Sequence, residues 1–213
     1  MSTAVTTGPT TMPVPFASPA VHRITVDEYE RIIQAGALED PGRVEFIDGY
    51  MVDKTGKNAE HGYTTKEVLK ALDVRLPPGW TSRKEEPVRI PAYDEPEPDV
   101  AIVRGSDADY EHRLPTAADV ALLVEVSATT LSQDRGKKLL AYARGGIRVY
   151  WIVNLVNRQV EVYSRPGKKG YRSHKTFASG EQVPVTIGGQ KLSPINVDGL
   201  LPRKATKPKV DGN

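Results

Sequence analysis

Two carboxylates sit where strands leave little room for charge. Glu125 lies inside the most apolar stretch of the chain, Val120-Ala-Leu-Leu-Val-Glu-Val126, and Asp99 opens a second one, Pro98-Asp-Val-Ala-Ile-Val103. An isolated ion in a buried strand costs several kcal/mol, so a cation must face Glu125: a lysine or arginine, a metal ion, or its own proton. If the two strands run antiparallel, the start of one and the end of the other lie at the same end of the sheet and the carboxylates converge. Two convergent carboxylates make a hard-cation site. Magnesium takes one or two protein carboxylates and keeps waters that substrate phosphates can replace, which is the chemistry of phosphodiester cleavage.

A cation for Glu125 is offered by the following helical segment. Asp134, Lys138 and Tyr142 are spaced four apart and drift by only about 40° per step, so they share one stripe of a helix. Leu139 and Ala143 form the adjacent stripe that would pack on the sheet. A lysine stem lying beside packed side chains can carry its ammonium back over the preceding strand, which makes Lys138 the expected counter-ion. The reading requires Lys138 to turn inward and its ammonium to meet the carboxylates.

These residues need elements to hold them. Thr25 and Glu28 form a capping-box pattern ahead of Val26, Tyr29, Ile32 and Ile33, which predicts a first helix over 26–35. Strands over 43–47 and 50–52 flank Asp48-Gly49, a dipeptide suited to the positive φ values of a tight hairpin. Glu45 falls on the strand face opposite Val44 and Phe46. A second helix spans 60–76, with His61 in its first turn, and Pro77-Pro78 stops it. Strands follow near 87–91, at 99–103 and at 120–126, then a helix over 131–144 that Gly145-Gly146 ends, and strands at 149–153 and 159–163. The remainder reads as shorter β pieces and turns. Helices mixed with strands that are partly in hairpins predict an α+β or mixed α/β sandwich.

Composition bounds what else is possible. The chain has 213 residues, 29 basic and 27 acidic, for a net charge of +2, and 38% of its residues are hydrophobic. That length suits one core: a domain over 22–201, an N-terminal arm 1–21 without charge, and a basic tail 202–213. The charge balance permits nucleic acid without demanding it. There is no cysteine, which excludes disulfides, thiolate zinc sites and cysteine nucleophiles. The histidines His22, His61, His112 and His174 are not at zinc-ligand spacing. No signal peptide or apolar run long enough to cross a bilayer is present, so the expectation is a cytoplasmic protein that meets no membrane. An exposed strand edge would permit a homodimer.

Glu45-Phe-Ile-Asp-Gly49, His61, Pro98-Asp-Val-Ala-Ile-Val103, Val124-Glu-Val-Ser127, Asp134-Arg-Gly-Lys-Lys138, Tyr142-Ala143 and Tyr150-Trp-Ile-Val153 together resemble the Uma-two family of restriction-endonuclease-like proteins, over roughly residues 22–165. That family belongs to the PD-(D/E)xK nuclease superfamily. The resemblance implies a central mixed sheet flanked by helices and a magnesium- or manganese-dependent attack of water on DNA phosphodiesters. It implies that Asp99 and Glu125 bind metal and that Lys138 replaces the motif lysine, whose usual position is Ser127 here. Glu45 would add a ligand or orient a water. His61, Ser127, Asp134 and Tyr142 would support the site from behind, and Arg135, Lys137, Arg83 and Lys84 would meet phosphates. Two other readings use the same core. Glu125 and Lys138 could be a purely structural buried pair, and the fold could serve as a non-catalytic module for binding nucleic acid or for oligomerisation.

Overall fold

A computed structural model of the chain describes residues 22–204. The arm expected over 1–21 and the last nine residues of the expected tail lie outside the described residues.

The central layer is a six-stranded mixed sheet in the order β3-β4-β5-β6-β7-β8. Its strands are β3 (Trp80–Lys84), β4 (Val100–Arg104), β5 (Val120–Ser127), β6 (Val149–Asn154), β7 (Gln159–Gly167) and β8 (Gly170–Ala178). All pairs are antiparallel except β5 and β6, which run parallel across a helical crossover. All eight residues of β5 are buried, as a strand covered on both faces requires. One face packs Val100, Ile102, Leu122, Val124, Trp151 and Val153 against Val68 and Leu72 of α2 (Ala59–Asp73) and against the hairpin of β9 (Gln182–Ile187) and β10 (Gln190–Asn196). The other packs Ala101, Val103, Leu123, Tyr150 and Ile152 against Tyr142 and Ile147.

The crossover helix is not continuous. A short helical turn, α3 (Leu131–Gln133), leads into a π-helical turn, Asp134–Lys138, and then into α4 (Leu139–Arg144). The expected regular helix over 131–144 is thus widened at its middle, a feature that commonly marks functional sites. The expected strand at 87–91 forms no ladder; only isolated bridges from Arg89 to Thr116 and from Ile90 to Asp94 remain, because Pro87 and Pro91 remove the donors a strand needs. Conversely, β3 and the nine-residue β8 are strands at the sheet edges whose polar sequences hide them from pattern reading.

The N-terminal elements form an appendage that carries Glu45. α1 (Val26–Gln34) is capped by Thr25 and Glu28 in a reciprocal capping box, as expected. β1 (Val44–Ile47) and β2 (Tyr50–Asp53) pair across Asp48 (φ 55°) and Gly49 (φ 81°). Gly49 is required there twice over, since a Cβ would also lie 2.9 Å from Cβ of Arg23. Phe46 faces inward and stacks on Tyr29 at 4.5 Å, which by strand alternation turns Glu45 the other way. Asp48 ties the turn to α4 through Arg144 at 3.0 Å.

Candidate active site

Register decides the first contact. Val100 pairs with Val124 in the β4–β5 ladder, so Asp99 lies directly across from Glu125, as the antiparallel reading anticipates. Both carboxylates line one cavity of about 240 Å³ at the end of the sheet, together with Glu45, His61, Asp134 and Lys138.

Lys138 turns inward, as required. Its Nζ lies 3.0 Å from Glu125 Oε1 and 2.9 Å from Glu45 Oε2, and its side chain is only 8% exposed. The Tyr142 hydroxyl donates to the same Glu125 Oε1 at 2.6 Å. Asp134 holds the π-helical turn to the end of β5, accepting from Ser127 Oγ at 2.5 Å and Thr130 Oγ1 at 2.7 Å. Ser127 therefore anchors the turn that carries Lys138. Glu45, on the β1–β2 hairpin, closes the cluster from the opposite side.

Asp99 is held differently. Its Oδ2 accepts from the Val126 backbone N–H at 2.7 Å and lies 3.1 Å from His61 Nε2, and its Oδ1 lies 3.0 Å from Lys57 Nζ. Asn58 caps α2 by accepting from the His61 N–H, which fixes His61 in the first turn where it reaches Asp99. Lys57 also contacts Glu85 at 3.0 Å. Nothing in the sequence singles out Lys57: it sits in the polar loop between β2 and α2, where no periodicity marks which side chain turns inward.

The electrostatics of the cavity are unbalanced. Six carboxylates line it against three lysines, in a chain whose overall charge is positive. Burial drives the Glu125 carboxyl well above the usual range; the Lys138 ammonium opposes this, and the Asp99, Asp134 and Glu45 carboxylates add to it. Asp99 is pulled below the usual range: burial alone would raise it, but the His61 hydrogen bond and charge and the Lys57 ammonium outweigh that. Lys138 is held protonated by Glu125 and Glu45 despite its burial. Hard oxygen donors in excess of local cations fit a divalent ion. Among the described residues no three carboxylate or histidine side chains form a cage of their own. The oxygen donors of Asp99 and Glu125 together could contribute two ligands to a hard divalent ion.

Of the cations expected at phosphates, three are occupied. Arg135 forms a fork with Glu161, Nε to Oε2 at 2.9 Å and NH2 to Oε1 at 2.6 Å. Arg83 pairs with Glu86, and Lys84 with Glu85 at 3.5 Å. Lys137 is exposed and makes no ion pair among the described residues.

Glu161 is a second buried acid, one that the sequence pattern leaves inconspicuous. It lies on the same cross-strand row as Glu125, since Ile152 pairs with both. Besides Arg135 it accepts from Asn154, Gln159 and Tyr163, at 2.9, 3.1 and 2.9 Å. A charged residue between Val160 and Val162 is the available signal. Burial opposes ionisation, yet the Arg135 fork and the other donors bring Glu161 down to about 2. A carboxylate depressed in the folded state stabilises above its unfolded pKa, about 4.3, and loses that contribution as pH falls through about 2. The stability difference between the parent and Glu161→Gln, measured by urea unfolding, should therefore shrink between about pH 4.5 and pH 2; a constant difference would contradict the assignment.

The family model "Uma2: Putative restriction endonuclease" matches residues 26–197, and the chain belongs to that family. Among solved structures, one described as a "putative nuclease belonging to DUF820" from Anabaena variabilis is similar with a TM-score of 0.62 at 18% identity, covering 83% of this chain and 97% of that one. That likeness shows a shared fold. No curated protein matches the chain. Among the described residues no helix is long and apolar enough to cross a membrane.

Proposed function

We propose that the chain is a magnesium- or manganese-dependent endonuclease that hydrolyses phosphodiester bonds of DNA. The observation that carries this reading is the buried cluster in which Asp99 and Glu125 face one another across the β4–β5 ladder and share a cavity with the Lys138 ammonium. A salt bridge alone would need one carboxylate per lysine. Here Lys138 meets both Glu125 and Glu45, and three more carboxylates than lysines line the cavity.

A divalent ion held by Asp99 and Glu125 would supply Lewis-acid activation of the phosphate and of the attacking water. The chain's own residues do the rest. The Val126 N–H and His61 fix the Asp99 carboxylate in one orientation. Tyr142 fixes Glu125 by bonding Oε1. Lys138, charged at neutral pH, would hold the water and offset the negative charge that develops at phosphorus. Glu45 sets the position of the Lys138 ammonium and stands as an acceptor for a proton of the water. Burial of the cluster excludes competing water and strengthens each of these interactions.

The test is nicking of supercoiled plasmid with and without magnesium or manganese, by the parent and Asp99→Asn. The parent should cleave only with metal, and the variant should be slower by at least about 100-fold, the scale for loss of one group that stabilises a transition state. Equal cleavage by both, or none by the parent, would sink the proposal.

A further inference from the structure

The charges of this chain are close to balanced overall, yet one segment is entirely one-sided. From Val162 to Gly180 there is no carboxylate, while Arg165, Lys168, Lys169, Arg172 and Lys175 all lie on the β7–β8 hairpin or its turn. All five are exposed, and none makes an ion pair or a side-chain hydrogen bond among the described residues. The ladder makes the arrangement unfavourable in isolation. Ser164 pairs with Ser173 and Pro166 with Tyr171, so Arg165 and Arg172 stand directly opposite one another. Like charges at such positions destabilise a sheet. Arg113 and Arg144, by contrast, each meet a carboxylate, Asp119 and Asp48.

The hairpin turn packs against the crossover segment, while the open end of the hairpin, Gln159 opposite Ala178, lies at the end of the sheet where Glu125 stands. A Cβ on Gly170, at the hairpin turn, would lie 3.5 Å from Cδ2 of Leu139 and 3.8 Å from Cδ2 of Leu140. The turn therefore rests on the first residues of α4, directly after Lys138. Arg172 folds back over the turn, its Nε 3.4 Å from where a Gly167 Cβ would stand. Lys137, the expected phosphate contact left without a carboxylate, is exposed on the same helical segment. The aromatic floor beneath the hairpin, Tyr150 with Tyr163 and Tyr171, holds it in place.

We infer that the β7–β8 hairpin is a docking surface for the sugar–phosphate backbone of duplex DNA, engaged through Arg165, Lys168, Lys169, Arg172 and Lys175. Charge complementarity identifies the occupant: five exposed cations without a carboxylate partner, gathered on one hairpin, suit a polyanionic backbone, and such contacts supply sequence-independent affinity. The inference rests on the nuclease reading for its biological sense, since the hairpin turn rests on the crossover segment that carries Lys138, but its test does not depend on cleavage.

The experiment is fluorescence anisotropy of a labelled duplex DNA in EDTA, so that no turnover occurs. It compares the full chain, a variant with all five hairpin cations changed to Gln, and a control with Arg31, Arg43, Lys66, Lys70 and Lys191 changed to Gln, which removes equal charge elsewhere. The hairpin variant should bind at least about 10-fold more weakly, and the slope of log affinity against log salt should fall by roughly 0.9 for each phosphate the variant no longer neutralises. The control should stay near the parent. Unchanged affinity in the hairpin variant would overturn the inference, as would an equal loss in the control. Failure of duplex to bind the parent while anionic phosphatidylserine vesicles do would also overturn it. Melting curves of all three proteins guard against misfolding. If the hairpin variant binds poorly but Asp99→Asn cleaves normally, the docking surface stands and the catalytic proposal falls; the reverse pattern separates them the other way.

Discussion

Glu125→Gln is expected to melt no lower than the parent protein and to cleave DNA at least about 100-fold more slowly. These effects pull in opposite directions because the carboxylate is poorly suited to its surroundings. Burial raises its pKa against the pull of Lys138, and the neighbouring Asp99 carboxylate raises it further. With the folded-state value above the unfolded value near 4.3, the unfolded chain releases the proton first as pH rises, so the ionised group works against folding at neutral pH. Glutamine keeps the shape and an oxygen that can accept from Tyr142 and Lys138. Lys138 also retains Glu45, 2.9 Å away. The melting temperature of Glu125→Gln relative to the parent should therefore rise as pH increases from about 4 toward neutrality. Differential scanning calorimetry without added metal across that range checks the sign. A variant less stable than the parent at neutral pH would mean that the Glu125–Lys138 pair is structural.

Lys138→Met should cost about 3–5 kcal/mol as well as activity. Methionine is close to lysine in length and packs against the same walls, so little volume is lost. What is lost is the ammonium between Glu125 and Glu45 in a site where the lysine is 8% exposed. Removing one partner of a buried pair leaves the other uncompensated, which is the costly case. At about 2–4 °C per kcal/mol for a chain of this size, the melting point should fall by roughly 10 °C. The double variant Lys138→Met/Glu125→Gln should recover a large part of that loss and remain inactive. If the single variant is neutral in stability, the ammonium is not screening Glu125 in the way described.

Much of the site is legible in the sequence because buried charge is rare enough to stand out. Glu125 in an all-apolar strand demands a cation, helical spacing points to Lys138, and the expected antiparallel strands bring Asp99 opposite. Tyr142 and Asp134 follow from the same stripe. The π-helical turn at Asp134–Lys138 is not legible, since a single wide turn leaves the pattern of burial nearly unchanged: Asp134, Lys138 and Tyr142 are all still buried. Lys57 escapes because its role depends on how a polar loop folds back onto Asp99. Glu161 carries the same signal as Glu125 in a shorter apolar setting, and without that partner in view Arg135 reads as a phosphate contact. In the fold, strands with one apolar face show in the sequence, while β3 and β8 lie at the sheet edges, where polar residues suit both faces and alternation fades.

The most direct measurement is a titration with manganese(II), monitored by electron paramagnetic resonance, of the parent, Asp99→Asn and Glu125→Gln. The parent should bind the ion, and each variant should bind it at least about 10-fold more weakly, the scale on which changes around a metal site alter its affinity. Equal manganese binding by all three proteins would contradict the claim that Asp99 and Glu125 together form the metal site.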